Sequence, residues 1–223
     1  MKVALCFSGL PRMIEQTYHY WKHGILDKYN PDIFIHSWKT DEYFPTSLIQ
    51  SLYHPSILKI DSPIEFDTSI YTDRIWPHRT TPNGVLSQWY SVKESINLKH
   101  MHEVATKTEY DIVVRARFDW YLKSIDFQMN KFINVADTPG LARHKFHYNG
   151  RECIGISDQF AYGSNEIMHA YSTLFDSIAY LYSIKKVDFC SELLLKAHLV
   201  ECNIEINKHY LDNGITRITG VVP

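Results

Sequence analysis

Three charged side chains, Arg115, Arg117 and Asp119, follow directly on the apolar run Ile112-Val113-Val114 in the stretch YDIVVRARFDWYLK. A β-branched run of this kind predicts a strand buried on both faces. Residues two apart on a strand share a face, so the three charges are expected to form one row at the strand's carboxyl end, where open α/β sheets bind ligands. Charges stranded there without a partner would cost several kcal/mol, so they must pair with each other or with a ligand. The first case is a structural Arg–Asp network. The second is a site for a doubly charged diphosphate, with the arginines opposing phosphate oxygens and Asp119 holding a divalent ion or a sugar hydroxyl.

Other polar groups stand where they could join such a site. The loop SGLPR, Ser8 to Arg12, leaves a short apolar run and leads into a helical pattern, a context in which backbone N–H groups and an arginine fork receive phosphate. It is neither GxGxxG nor GxxxxGK[ST], so nicotinamide dehydrogenase and P-loop ATPase chemistry lose their main support. His36 and Trp38 end a second strand pattern; Trp38 could stack a base or sugar or fill the core, and His36 is a ligand or a satisfied polar residue. In SDQFAYGS, Asp158 suits a general base that takes a proton from an acceptor hydroxyl, with Gln159 beside it. The alternative there is an aspartate that caps its own turn.

The elements that must position these groups follow from periodicity. Strands are expected at Lys2–Phe7, Asp32–Trp38, Ile57–Ile60 and from Asp111 onward. Helices are expected from Pro11 to about Lys28, over Thr46–Tyr53 and over Gly84–Lys107, giving a β-α-β-α-β-loop-α-β order and hence a mostly parallel sheet. Ser62 to Asn83 has three prolines and no period, and reads as a long loop of the kind that often serves as a lid. The second half predicts short strand pieces at Phe132–Val135, Leu141–Arg143 and within Cys153–Gly163. Helices follow over Ser164–Ile184 and Asp188–Leu199, with Ser164 and Asp188 as N-caps, and Asn203–Thr219 is a closing strand.

Composition fits one globular domain over residues 1–223, with 45% hydrophobic and 22% charged residues. A net charge of −2 and no basic cluster argue against nucleic acid as a partner. The four cysteines form no CxxC pair, which removes zinc-ribbon and redox-motif readings and suits reduced thiols in a cytoplasm. The N-terminal VALCFSGL is too short for a signal peptide, and no apolar run of about 18 residues predicts a transmembrane segment. A soluble cytoplasmic protein is expected. Aromatics at 14% suit stacking surfaces or an aromatic core.

Taken in order, ALCFSGLPR, DIFIHSW, LSQWYS, YDIVVRARFDWY and ISDQFAYGS resemble a group of small GT-A-type nucleotide-sugar glycosyltransferases of algal and other large DNA viruses and of bacterial surface-glycan clusters. The similarity runs from about Lys2 to Leu199. It implies a GT-A-like, Rossmann-like α/β domain, a mostly parallel sheet with helices on both faces. Residues 1–123 would bind the nucleotide-diphosphate sugar donor and residues 124–223 would shape the glycan acceptor side. The resemblance puts Ser8, Gly9 and Arg12 near the nucleotide and its phosphates with Gln88 nearby; His36, Arg115, Arg117 and Gln159 are also expected among the substrate-binding residues. Asp119 matches the last aspartate of the family's Asp-x-Asp metal motif, which implies Mn²⁺ or Mg²⁺ as cofactor. This chain departs from that pattern. It has no Asp-x-Asp, and Arg117 stands where the first carboxylate would be, able to neutralise charge otherwise assigned to the ion.

The implied reaction moves a hexose or deoxyhexose to a glycan hydroxyl with inversion, Asp158 acting as the base. Glu192, in SELLLKAHL, is the second candidate for that role, and His198 on the same helix could approach a metal. Two rivals stand beside this reading. One is a nucleotidyl or sulfo-group transferase; the other is a catalytically silent nucleotide- or carbohydrate-binding domain of the same fold.

Overall fold

The two most apolar runs of the chain, Val3–Ser8 (β1) and Ile112–Ala116 (β4), lie side by side and parallel, with every residue of both buried. The computed structural model describes residues 1–39, 46–75, 81–136, 145–148, 151–209 and 213–215. From β1 the chain runs through α1 (Ile14–Trp21), a π-helical turn (Lys22–Leu26) and α2 (Asp27–Tyr29) into β2 (Asp32–Trp38). It continues through α3 (Thr46–Tyr53) to β3 (Ile57–Asp61), and α4 (Pro82–Thr106) then carries it back to β4. After β5 (Trp120–Leu122) come β6 (Ile133–Ala136), the hairpin β7 (Lys145–Tyr148) and β8 (Arg151–Ile154), and β9 (Phe160–Gly163). Helices α5 (Asn165–Ser172), α6 (Leu174–Ser183) and α7 (Ser191–Glu201) precede β10 (Ile206–His209) and β11 (Asn213–Ile215).

The main sheet has seven strands in the order β10-β6-β9-β4-β1-β2-β3. All its pairs are parallel except those of β9, which runs antiparallel to both β4 and β6. The chain is therefore of the α/β class, its mostly parallel mixed sheet compatible with a Rossmann-like fold. Alternation along the strands splits the core in two. Ala4, Cys6, Phe34 and Val113 face α4 to α7, whereas Val3, Leu5, Phe7, Ile35 and Val114 face α1 and α3.

Local chemistry explains most boundaries. Pro82 sits in the first turn of α4, and Thr81 Oγ1 accepts the Gly84 N–H at 3.1 Å as the N-cap. Ser164 caps α5, as its position in the sequence suggests, accepting the Ile167 N–H. Among the described residues no helix is long and apolar enough to cross a membrane.

Several expectations need correction. The first helix begins at Ile14, not near Pro11, because Met13 takes a left-handed turn at φ 56°. The helix expected over Ser164–Ile184 is two helices that break at Thr173, whose Oγ1 donates to Ala170 O at 2.7 Å. Asp188 is not the cap of the last helix. Phe189 is held extended by a parallel bridge to Ile75, so α7 starts at Ser191. The strand expected at Leu141–Arg143 lies outside the described residues. The closing strand is divided, β10 pairing with β6 and β11 with β5.

The long loop is tied to the α6–α7 region over its described part. Tyr71 packs on Tyr182 and Phe189, the Arg74 guanidinium lies 4.2 Å from the centre of the Tyr182 ring, and Arg74 O accepts the Phe189 N–H. These contacts tie the segment to the core through buried Tyr71, with Ile75 packed against it. Of the expected loop Ser62–Asn83, residues 76–80 lie outside the described residues and Pro82 and Asn83 belong to α4.

Candidate functional site

Between β1 and β4 the winding of the sheet reverses: the chain leaves β1 toward β2 and β3, and α4 returns it to the other side. Such a switch point opens a crevice at the carboxyl ends of the strands. A cavity of about 500 Å³ lies there, lined by the loop after β1, the start of α4, the end of β4, the turn before β9 and the start of α7.

The loop after β1 is set by Gly9, whose φ of 98° is open to glycine and strained for other residues. Its N–H donates to Ser91 Oγ at 2.7 Å and to His36 O at 3.2 Å, so this donor is spent on the fold rather than offered to a phosphate. His36 is wholly buried beneath the loop and does not line the cavity. Its Nδ1 meets Ser91 Oγ at 2.8 Å and its Nε2 meets Asp61 Oδ2 at 3.1 Å. Burial lowers its pKa against the opposing pull of Asp61. With the ring neutral and its Nε2–H donating to Asp61, Nδ1 and His36 O are the two acceptors within reach of the one Ser91 hydroxyl proton. His36 thus positions Gly9 through Ser91 instead of touching a ligand in the cavity. Ser8, Gly9 and Arg12 line the cavity, and Ser8 Oγ is buried without a hydrogen-bond partner.

The expected row of three charges on one strand is not what forms. β4 stops at Ala116, because Phe118 turns into the core, stacks on Phe7 at 4.8 Å and has its carbonyl held by Thr17 Oγ1 at 2.6 Å. Arg115 stays on the strand, while Arg117 and Asp119 flank Phe118 in the turn. All three nevertheless line the cavity. Arg117 donates from Nε to Asp119 Oδ1 at 2.8 Å and from Nη2 to Oδ2 at 2.6 Å, a side-on bidentate pair. Burial opposes the charge of Arg117, but the bonds and charge of Asp119, with Asp158 and Glu192 nearby, raise its pKa overall.

Arg115 is different. Its side chain is 0% exposed, and its Nε and Nη1 have no hydrogen-bond partner. Burial pushes its pKa down, while Tyr171, Asp158 and Asp119 pull the other way. The Tyr171 hydroxyl is also buried without a partner, and burial drives its pKa upward.

The carboxylate expected to act as base is in the same cavity. Asp158, 6% exposed in the turn before β9, accepts the Gln88 Nε2–H through Oδ2 at 2.6 Å. Gln88 also reaches Ser191 Oγ at 3.1 Å, and Trp89 Nε1 donates to the same hydroxyl at 3.0 Å. Gln159 and Glu192 complete this wall. Ser191 had no signal in the sequence beyond its place near the start of a helix, and Thr81 and Ser87 had none as cavity residues. His198 is not in the cavity; its Nε2 meets Ala170 O at 2.8 Å.

The donor set fits a divalent cation poorly. Both oxygens of Asp119 are engaged by Arg117, and among the described residues no three His, Cys, Asp or Glu side chains converge on a point. The charges around the cavity balance in another way, with Arg12, Arg115 and Arg117 against Asp119, Asp158 and Glu192.

Residues 1–216 match the family described as a domain of unknown function (DUF7796), and the chain belongs to that family. No match was found among curated proteins.

Proposed function

We propose that this chain is a cytoplasmic glycosyltransferase of GT-A-like architecture that moves a hexose or deoxyhexose from a nucleotide-diphosphate sugar to a glycan hydroxyl with inversion. The observation that carries the reading is Arg115: a wholly buried guanidinium with unpaired N–H groups, lining a polar cavity at the sheet's switch point. A buried cation without a protein partner calls for an anion. The cavity volume suits a small ligand, and the carboxylate of Asp158 stands in the same space.

In this reading Arg115 and Arg117 oppose the diphosphate oxygens, whose negative charge grows as the bond between the anomeric carbon and its phosphate oxygen breaks. The acceptor oxygen attacks that carbon from the opposite face. Its proton passes to Asp158, and the electron pair of the broken bond leaves on the diphosphate. Gln88 acts through Asp158, holding the carboxylate's orientation by the bond to Oδ2. Asp119, with both oxygens bonded to Arg117, holds that arginine rather than an ion in this reading.

A second reading, a silent binding domain, draws support from that same engagement of Asp119. Incubation with UDP-, GDP-, dTDP- and CDP-sugars and an acceptor glycan mixture separates the cases by product. Release of nucleoside diphosphate with a new glycosidic bond of inverted configuration, lost in Asp158→Asn, supports the transferase. Binding without turnover supports the silent domain, and release of pyrophosphate would point to nucleotidyl transfer instead.

A further inference from the structure

The geometry points to Asp119 as a positioning residue for Arg117, and to a diphosphate held by Arg115 and Arg117 with no divalent cation between them. This rests on the nucleotide-sugar reading above and deepens it. The Arg117–Asp119 pair is side-on, using the Nε hydrogen and one Nη2 hydrogen. A guanidinium carries further donors on Nη1 and Nη2. Their end-on fork is the part that matches phosphate geometry.

Asp119 therefore leaves Arg117 competent to bind an anion and fixes the orientation from which it does so. The pair is also well seated. Phe118, stacked on Phe7, anchors the turn between the two residues, and the Asp119 side chain is only 11% exposed against 30% for Arg117. An ion at Asp119 would have to displace two charge-assisted bonds that are already made. Arg115 supplies the independent observation, since its buried Nε and Nη1 are unpartnered at the same cavity. Of the two guanidiniums, Arg115 alone has no carboxylate bonded to it, so its charge meets the diphosphate unopposed. Holding Arg117 in place before the ligand arrives also spares the ordering cost at binding.

Titration calorimetry of UDP, GDP, dTDP and CDP into the full chain, in chelator and in Mn²⁺, tests this. The expected result is one nucleotide that binds with the same Kd in both buffers. Arg117→Gln weakens that binding roughly 10- to 100-fold in both, as loss of charge-assisted hydrogen bonds requires. Arg117→Lys keeps the charge but not the fork and recovers only part of the loss. Asp119→Asn weakens binding by roughly tenfold in both buffers, with no change in the response to Mn²⁺. Melting temperatures of the variants near that of the unmodified chain exclude misfolding as the cause. Tighter binding in Mn²⁺ that Asp119→Asn abolishes would overturn the inference while leaving the nucleotide-sugar reading standing. Unchanged affinity in Arg117→Gln would overturn it as well. Absence of binding in either buffer would remove both.

Discussion

Gln88 Nε2 donates to Asp158 Oδ2 at 2.6 Å, joining α4 to the turn before β9 across 70 residues of chain. Asp158 is thereby held by a group that is itself fixed on a long, well-packed helix. Gln88→Leu removes the hold without adding charge and is expected to lower kcat by up to about 10²-fold through misplacement of the base. Gln88→Glu sets two carboxylates within hydrogen-bond distance, where both cannot be ionised at ordinary pH. The acid limb of its kcat/KM profile should move to higher pH than in the unmodified chain.

Asp158→Asn keeps the shape and the Gln88 contact while removing the proposed proton acceptor. The expected loss in kcat is roughly 10²- to 10⁴-fold, with little change in the nucleotide Kd. Parallel loss of binding and turnover would make Asp158 a structural residue of the donor site.

Arg115→Met exchanges a buried, unpartnered cation for an apolar side chain of similar length. The ligand-free protein is expected to gain stability, by about 1–3 kcal/mol, because the unsatisfied N–H groups of Arg115 disappear. Its melting temperature should rise by at least about 2 °C for a chain of this size. The same variant should lose its response to nucleotide. Stability gained where binding is lost is the expected mark of a functional site.

Two buried histidines are expected to contribute to the pH dependence of stability. Burial lowers the pKa of His36, which faces Asp61, Lys59, Glu94 and Ser91, and of His198, which meets Ala170 O and Thr173 Oγ1 near Asp176. As the pH falls through the ordinary histidine value of 6.5, the unfolded chain takes up protons that the folded chain refuses. Each such proton favours unfolding, so stability present above that pH is lost as the pH falls toward the depressed folded values. Each site contributes up to about 1.4 kcal/mol per pH unit within this window. Melting temperature recorded from pH 7.5 to 5 should decline, and His198→Asn should flatten the decline.

Much of the sheet was legible because its strands carry their own signal. Asp32–Trp38 and Thr46–Tyr53 have the bounds their patterns suggest, and α4 differs from the expected Gly84–Lys107 by its proline-led first turn and by ending at Thr106. What could not be read depends on contacts distant in sequence. The reversed β9, inserted between β4 and β6, leaves no local mark. The start of α7 is displaced by the Ile75–Phe189 bridge, 114 residues apart in the chain. At the site, residue types were informative and orientation was not. Arg115, Arg117, Asp119 and Asp158 meet in one cavity, but the turn at Phe118 replaces the single row, and His36 acts from beneath through Ser91 and Gly9.

The buried, unpaired guanidinium of Arg115 is proposed to receive the diphosphate of a nucleotide sugar. A thermal-shift panel of UDP-, GDP-, dTDP- and CDP-sugars on the unmodified chain and on Arg115→Met measures this directly, since ligand that binds only the folded state raises the melting temperature by mass action. The melting temperature should rise with the sugars of one nucleotide, and this rise should be absent in Arg115→Met. No rise with any of them, or an equal rise in the variant, would contradict it.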